Sequence, residues 1–263
     1  MTWNIDPILI TLGPLALSWY GLFFASGFLV GHHLMQWMYR RDGRDPVELD
    51  RLLWFVLGGT LIGMRLVHCL FYDPQYFLAH PLEILMIWRG GYASHGGAIG
   101  LLLAVFLYSR SVGRPAYLWL LDRLAIAAVI AGAFIRIGNF FNSEIIGTPT
   151  HSVLGIVFQQ VDSLPRHPVQ LYEAVAYLAI FFAMLWLYRS KRAMRDGALT
   201  GWYLTLVFSA RFALEFFKTP QAVYETGDAI SVGQYLSVPF VIGGVILLLR
   251  SRRAPIGSAQ EGD

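Results

Sequence analysis

The chain has 263 residues, of which 56% are hydrophobic, 15% aromatic and only 14% charged, and its formal net charge is +3. A soluble globular domain carries about 25% charged residues, so this composition excludes an ordinary water-soluble enzyme and indicates an integral membrane protein. The one cysteine, Cys69, lies in an apolar run beside His68, which excludes a disulfide framework and a cysteine-based metal site.

The first residues, MTWNIDPILITLG, contain no basic segment and do not read as a cleaved signal peptide. A helix needs about 17–25 apolar residues to cross a bilayer. In chain order, the stretches that qualify or nearly do so are 15–38, 52–70, 92–108, 116–137, 169–188, 198–217 and 230–249. The run at 77–88 is too short and holds Pro81 and Glu83, so it is predicted to be interfacial or re-entrant. Gly59/Gly63 and Gly96/Gly100 have the small-xxx-small spacing that lets helices approach closely.

Basic residues set the orientation. Arg40, Arg41, Arg44 and Arg51 follow the first span, Arg110 and Arg114 the third, Arg189, Lys191, Arg192 and Arg195 the fifth, and Arg250, Arg252 and Arg253 the seventh. The opposite loops hold Arg89, Arg166 and Lys218. The expected fold is therefore an all-α integral membrane protein of seven transmembrane helices, with its N-terminus outside and its C-terminus in the cytoplasm. Residues 1–253 form a single polytopic membrane domain, and 254–263 a flexible cytoplasmic tail.

This topology gives each polar residue a depth. Tyr20, Arg65, His95, Arg136, His167, Gln170, Tyr172, Glu173, Arg211 and Glu215 all fall in the outer part of their spans, with Asn139, Asn142 and Glu144 just beyond the fourth. Only Asp122 and Arg123 lie near the inner face. An arginine at the centre of a membrane helix costs about 2.5–3.5 kcal/mol on insertion scales, so the layer calls for a purpose. One explanation is internal neutralisation: Arg211 and Glu215 are four apart on one helix face, and Arg65 has Glu83 or Glu173 as candidate partners. That leaves the convergence of the other polar groups unexplained. A planar guanidinium suits a phosphate, and the phosphate available in this layer belongs to a phospholipid headgroup.

The motif RIGNFFNSEIIG at 136–147 resembles the signature of the bacterial prolipoprotein diacylglyceryl transferases. GGYASHGG around His95, HPVQLYE from His167 to Glu173 and RFALEFF from Arg211 to Phe217 resemble that family's other motifs, in the same order and across nearly the whole chain. There are two departures: Val207 stands where the family often has tyrosine, and Ala93 and Ser94 differ from the commonest form. The resemblance implies transfer of the diacylglyceryl group of phosphatidylglycerol to the lipobox cysteine thiol of a prolipoprotein signal peptide. A thioether forms and glycerol phosphate leaves, as the first step of lipoprotein maturation in the bacterial cytoplasmic (inner) membrane. The active site would lie near the outer leaflet, with no cofactor, metal or nucleic acid. It also implies His95, Arg136 and Arg211 as catalytic residues, and Tyr20, Arg136, Asn139, Asn142, Glu144, Gly147, Gln170, Glu173 and Glu215 as substrate-binding ones. His95 is the candidate base for the thiol, since histidine titrates nearest neutral pH.

The other histidines read as bystanders. His32, His33, His80 and His151 lack partners at ligand spacing, and no H-x-x-x-H or H-E-x-x-H pair indicates a metal. His68 and His167 are near enough to the polar layer to support it. Ser94 and Ser143 sit in no G-x-S-x-G turn, which weighs against a serine hydrolase. A lipid transporter would carry polar groups to both faces, and a scaffold would leave the arginines without a role.

Overall fold

The computed structural model describes residues 1–13, 15–86, 90–111, 113–190, 195–219 and 231–253. The expected tail at 254–263 and the end of the 77–88 segment lie outside them. Helices make up most of the described residues: α1 (Trp19–Arg41), α2 (Glu48–Val67), α3 (Pro74–Ala79), α4 (Ser94–Ser109), α5 (Tyr117–Phe141), α6 (Val169–Arg189), α7 (Ala198–Glu215) and α8 (Val232–Arg253). Among these residues, Glu48–Tyr72, Tyr117–Phe141, Val169–Arg189 and Val232–Ser251 are long and apolar enough to cross a membrane, and His95–Ser109 is a shorter apolar helix. A wider π-helical turn, His68–Tyr72, extends α2, and a tight 3-10 turn, Pro81–Leu85, follows α3. The described part of this run, residues 77–86, is thus broken into short pieces rather than forming one helix.

Two small sheets accompany the helices. Strand β1 (Thr2–Trp3) pairs in parallel with β4 (Ile156–Phe158), placing Trp3 opposite Phe158, and β5 (Pro165–Arg166) runs antiparallel to β4. Strands β2 (Ile8–Leu12) and β3 (Leu15–Ser18) form an antiparallel hairpin. The first predicted span therefore starts as a strand: Gly13, at φ +59, turns the chain, and the helix begins only at Trp19.

The chain divides into two compact units, Met1–Met35 with Asp122–Asp263, and Gln36–Leu121. In the second unit, α2 packs on α4 along their glycines. A Cβ placed on Gly63 would lie 2.8 Å from the Gly100 Cα, and one on Gly97 2.8 Å from the Met64 Cγ. Backbone contact this close is what the small-xxx-small spacing predicts. Arg65 is buried (4% exposed), and it departs from the expected pairing with a carboxylate. It donates instead to the backbone carbonyls of Glu83 (2.6 Å), Ile84 (3.0 Å) and Gly90, and its guanidinium lies 5.1 Å above the Phe77 ring. Carbonyls thus satisfy the planar fork and tie the approach to α4 onto α2.

In the first unit, Asp122 is buried in α5 and caps the start of α7. It accepts hydrogen bonds from the Gly197 (2.8 Å) and Thr200 (2.7 Å) amides and from the Thr200 hydroxyl (2.6 Å). Its neighbour Arg123 lies over the Tyr188 ring. Trp3, Phe140 and Phe158 close a small aromatic core over the end of α5.

Candidate active site

Helix α5 runs on through the polar motif to Phe141, so Arg136 and Asn139, three apart, share a face. The Arg136 Nη1 donates to Asn139 Oδ1 at 3.2 Å. The helix then stops in a Schellman turn: the Glu144 amide bonds the Asn139 carbonyl at 2.9 Å, and the Ser143 amide bonds Phe140 at 3.1 Å. Ser143 (φ 53) takes the left-handed position where glycine is usual, and Ile145 (φ 54) follows it there. A β-branched residue at positive φ is an outlier worth about 1–3 kcal/mol, so the surroundings must hold it. They do so through Glu144. Its carboxylate accepts from Asn139 Nδ2 (3.0 Å) and Asn142 Nδ2 (3.1 Å), and its carbonyl accepts from Gln170 Nε2 (2.6 Å). The asparagines and glutamate of the signature therefore bind one another and fix the turn.

Beyond the turn, the chain threads between two others. The Gly147 amide bonds the His167 carbonyl (3.1 Å), Thr148 bonds Phe217 (2.8 Å) and Thr219 bonds Ile146 (3.3 Å). Arg166 donates to the Gly147 carbonyl (3.1 Å) and grips Asp162 with Nε (3.0 Å), and this arginine holds the Asp162 carboxyl below its usual range. Gly147 has no room for a side chain: a Cβ would lie 2.7 Å from both the His167 Cβ and the Val169 Cγ2, and closer still to the His167 carbonyl oxygen. Overpacking of this kind costs about 1–3 kcal/mol. Gly147→Ala is therefore expected to lower the thermal midpoint of the purified protein as well as its activity, and an unchanged midpoint would contradict this packing.

The charges of the first unit form a chain. Glu173, at 0% exposure, lies between Arg136 Nε and Lys218 Nζ, each 3.0 Å away, and Lys218 also reaches Glu215 at 2.9 Å. The contacts to Glu173 are ion pairs without aligned hydrogen bonds. Glu215 is thus paired with Lys218, and the expected alternative of an Arg211–Glu215 pair is not formed. Among the described residues, Arg211 has no ion-pair or hydrogen-bond partner. Lys218 escaped the sequence reading, which placed it as a loop cation; the signal for it was its position three residues after Glu215.

Arg136 and Arg211 line one cavity of about 160 Å³ between α5, α6 and α7. Its other walls are Ala128, Val129, Gly132 and Ile135 of α5, Tyr177 of α6, and Tyr203, Val207 and Phe208 of α7. Arg136 turns its Nε to Glu173 and one Nη1 hydrogen to Asn139. A guanidinium has five N–H donors; Arg136 also meets the Tyr177 hydroxyl, a wall of the cavity, so this end of its fork faces the cavity. Tyr20 packs on α5 against Gly138, where a Cβ would lie 3.1 Å from its ring. His167 contacts the Tyr172 hydroxyl at 3.2 Å and packs on Phe217. His95 belongs to the second unit, exposed in the first turn of α4, and His68 stacks on Tyr72 in the π-helical turn.

A family model described as prolipoprotein diacylglyceryl transferase matches residues 7–250. The chain belongs to the prolipoprotein diacylglyceryl transferase family. Its relatives include proteins named phosphatidylglycerol–prolipoprotein diacylglyceryl transferase. The one from Tolumonas auensis is 57% identical over 95% of this chain and 97% of its own length. That from Chloroherpeton thalassium is 48% identical over 95% and 93% respectively, and that from Porphyromonas gingivalis 42% identical over 97% and 96%. Together with the long apolar helices, membership of this transferase family makes the chain a multi-pass membrane protein.

Proposed function

We propose that the chain transfers the diacylglyceryl group of phosphatidylglycerol to the thiol of a prolipoprotein's lipobox cysteine, at the outer leaflet of the bacterial inner membrane. One observation carries the reading beyond the family name. Arg211, with no carboxylate partner among the described residues, shares an apolar-walled cavity with Arg136. Two guanidiniums at one end of an apolar cavity match a phosphate joined to hydrocarbon. Glu173 fixes Arg136 and Lys218 occupies Glu215, so neither of these carboxylates pairs with Arg211.

In this mechanism the phosphate sits against Arg136 and Arg211, and the thiolate attacks the glyceryl carbon. The carbon–oxygen bond to phosphate breaks, a carbon–sulfur bond forms, and the bond's electron pair leaves on the oxygen of glycerol phosphate. The arginines stabilise that developing charge. The thiol, with a reference pKa of about 8.5, gives up its proton to His95, whose role rests on the resemblance alone. Asn139, Asn142, Glu144, Gly147 and Gln170 hold the turn at the end of α5, and Tyr20 packs beside it. No cofactor takes part.

With labelled phosphatidylglycerol and a lipobox peptide, the wild-type protein should form the thioether product. His95→Gln should slow turnover by about 10²–10⁴-fold, with lipid binding far less affected and a partial recovery as pH rises toward the thiol pKa. A near-normal rate at neutral pH would place the base elsewhere.

The proposed topology has seven spans, with the N-terminus outside and the C-terminus cytoplasmic, as the basic residues indicate. A reporter fused after residue 253 should then be cytoplasmic and one inserted at Thr150 external. The opposite pattern would turn the arginines to the wrong leaflet.

A further inference from the structure

Arg211 and Glu215 stand four apart on one side of α7, the spacing at which opposite charges pair, yet Glu215 meets Lys218 instead. An arginine neutralised by its own helix would have no fork to offer a phosphate, so the place given to the Glu215 carboxylate matters. That place lies on the first turn of α8, against Gly233. A Cβ on Gly233 would come 2.5 Å from Glu215 Oε1 and 2.8 Å from its Cδ. The carboxylate fills the space that this glycine leaves.

The backbone around that space is fixed. The Ser231 amide donates to Gln234 Oε1 (3.0 Å) and the Gln234 amide to Ser231 Oγ (3.2 Å), the reciprocal capping box of a helix start. Gln234, 2% exposed, also donates from Nε2 to the Phe212 carbonyl of α7 (3.3 Å), and the Ser237 hydroxyl donates to the Gly233 carbonyl (2.7 Å). Further along, a Cβ on Gly244 would lie 2.8 Å from the Gly201 carbonyl oxygen, so α7 and α8 meet backbone to backbone. A side chain at 233 therefore displaces the flexible carboxylate and not the helix. Non-bonded atoms settle at about 3.5–4.0 Å, so the carboxylate would move by about 1 Å, off α8 and back over the side of α7 that carries Arg211. We propose that Gly233 is a positioning residue for the transfer, holding room for Glu215 on α8 so that Arg211 stays open to the phosphate. The inference rests on the headgroup lying at Arg136 and Arg211, as proposed above.

The test measures Kd for labelled phosphatidylglycerol in detergent, kcat/KM for transfer to one lipobox peptide, and the thermal midpoint. Gly233→Ala should weaken lipid binding and lower kcat/KM by about tenfold or more, as expected when a hydrogen bond to a charged group is lost. Its midpoint should stay close to wild type, because alanine suits a helix better than glycine and the carboxylate gains a new partner. Glutamine at 215 has the same bulk but cannot neutralise Arg211, so adding Gly233→Ala to Glu215→Gln should leave the Kd of Glu215→Gln unchanged. Wild-type binding by Gly233→Ala would overturn the proposal. So would an equal loss in both backgrounds, or an unfolded Gly233→Ala protein, since either would mean plain crowding. Loss of binding in Glu215→Gln alone would overturn it too, because the carboxylate would then serve the lipid. Arg211→Gln separates the two claims. Weakened binding there, beside an unaffected Gly233→Ala, overturns the positioning role alone; undiminished binding there overturns the headgroup reading itself.

Discussion

Arg211→Lys is expected to lower kcat/KM for diacylglyceryl transfer by about 10²–10³-fold, the usual cost of losing one preorganised donor to a developing oxyanion. The substitution keeps the charge, so the loss measures geometry. Arg211 lines the cavity beside Arg136 and has no ion-pair or hydrogen-bond partner among the described residues. Its fork is therefore available for two oxygens of one phosphate, which a lysine ammonium, acting as a point charge, does not reproduce. Arg211→Ala should be no better than Arg211→Lys. Both variants should remain folded, because Arg211 belongs to no ion pair among the described residues. Initial rates with labelled lipid, beside a thermal midpoint for each variant, make the check. A lysine variant with wild-type rates would mean that Arg211 supplies field alone, and the two-donor grip would have to be abandoned.

Glu173→Gln should be the most damaging single change to the fold of the site. The carboxylate is fully buried between Arg136 and Lys218, each 3.0 Å away. Removing it leaves two cations facing each other in a place closed to water, and breaking a buried pair costs about 3–5 kcal/mol. Activity should fall with stability, since Arg136 loses the group that aims it. Adding Lys218→Met should recover part of the stability by removing one unpaired charge. Glu215→Gln should cost less, because its side chain is 15% exposed and Lys218 keeps Glu173. Thermal unfolding of these three variants beside wild type would check the ordering, and a Glu173→Gln protein as stable as wild type would contradict the buried pair as the anchor of the site.

The sequence made the long helices legible because hydrocarbon demands continuous apolar stretches, and α5, α6 and α8 begin within a few residues of the predicted spans. It gave the end of α5 less well. Polar residues at Asn139 broke the apolar pattern, yet the helix continues to Phe141 because Asn139 faces Arg136 and Glu144. The Schellman turn after it was hidden, since serine stands at the position where glycine would have announced it. The two small sheets could not be read either: Trp3 pairs with Phe158, far along the chain, and the 8–18 hairpin is as apolar as the helix that follows. Among the charges, composition and depth picked out Arg136, Arg211, Glu173 and Glu215 as a group. Which carboxylate serves which cation was decided by Lys218, whose place depends on the turn after α7. Arg65 was singled out for its cost in a membrane, but its use as a clasp for backbone carbonyls follows from a fold that no local pattern encodes.

The central claim is that a thiol displaces phosphate at the glyceryl carbon, with the phosphate oxygens held by Arg136 and Arg211. Phosphatidylglycerol carrying ¹⁸O in the bridge between the diacylglyceryl carbon and phosphorus tests it directly. After incubation with the protein and a lipobox peptide, mass spectrometry of both products reads which bond was cut. The account predicts a diacylglyceryl thioether on the cysteine without label, and glycerol phosphate that keeps the ¹⁸O. Labelled diacylglycerol with unmodified peptide would mean cleavage at phosphorus, and would contradict it.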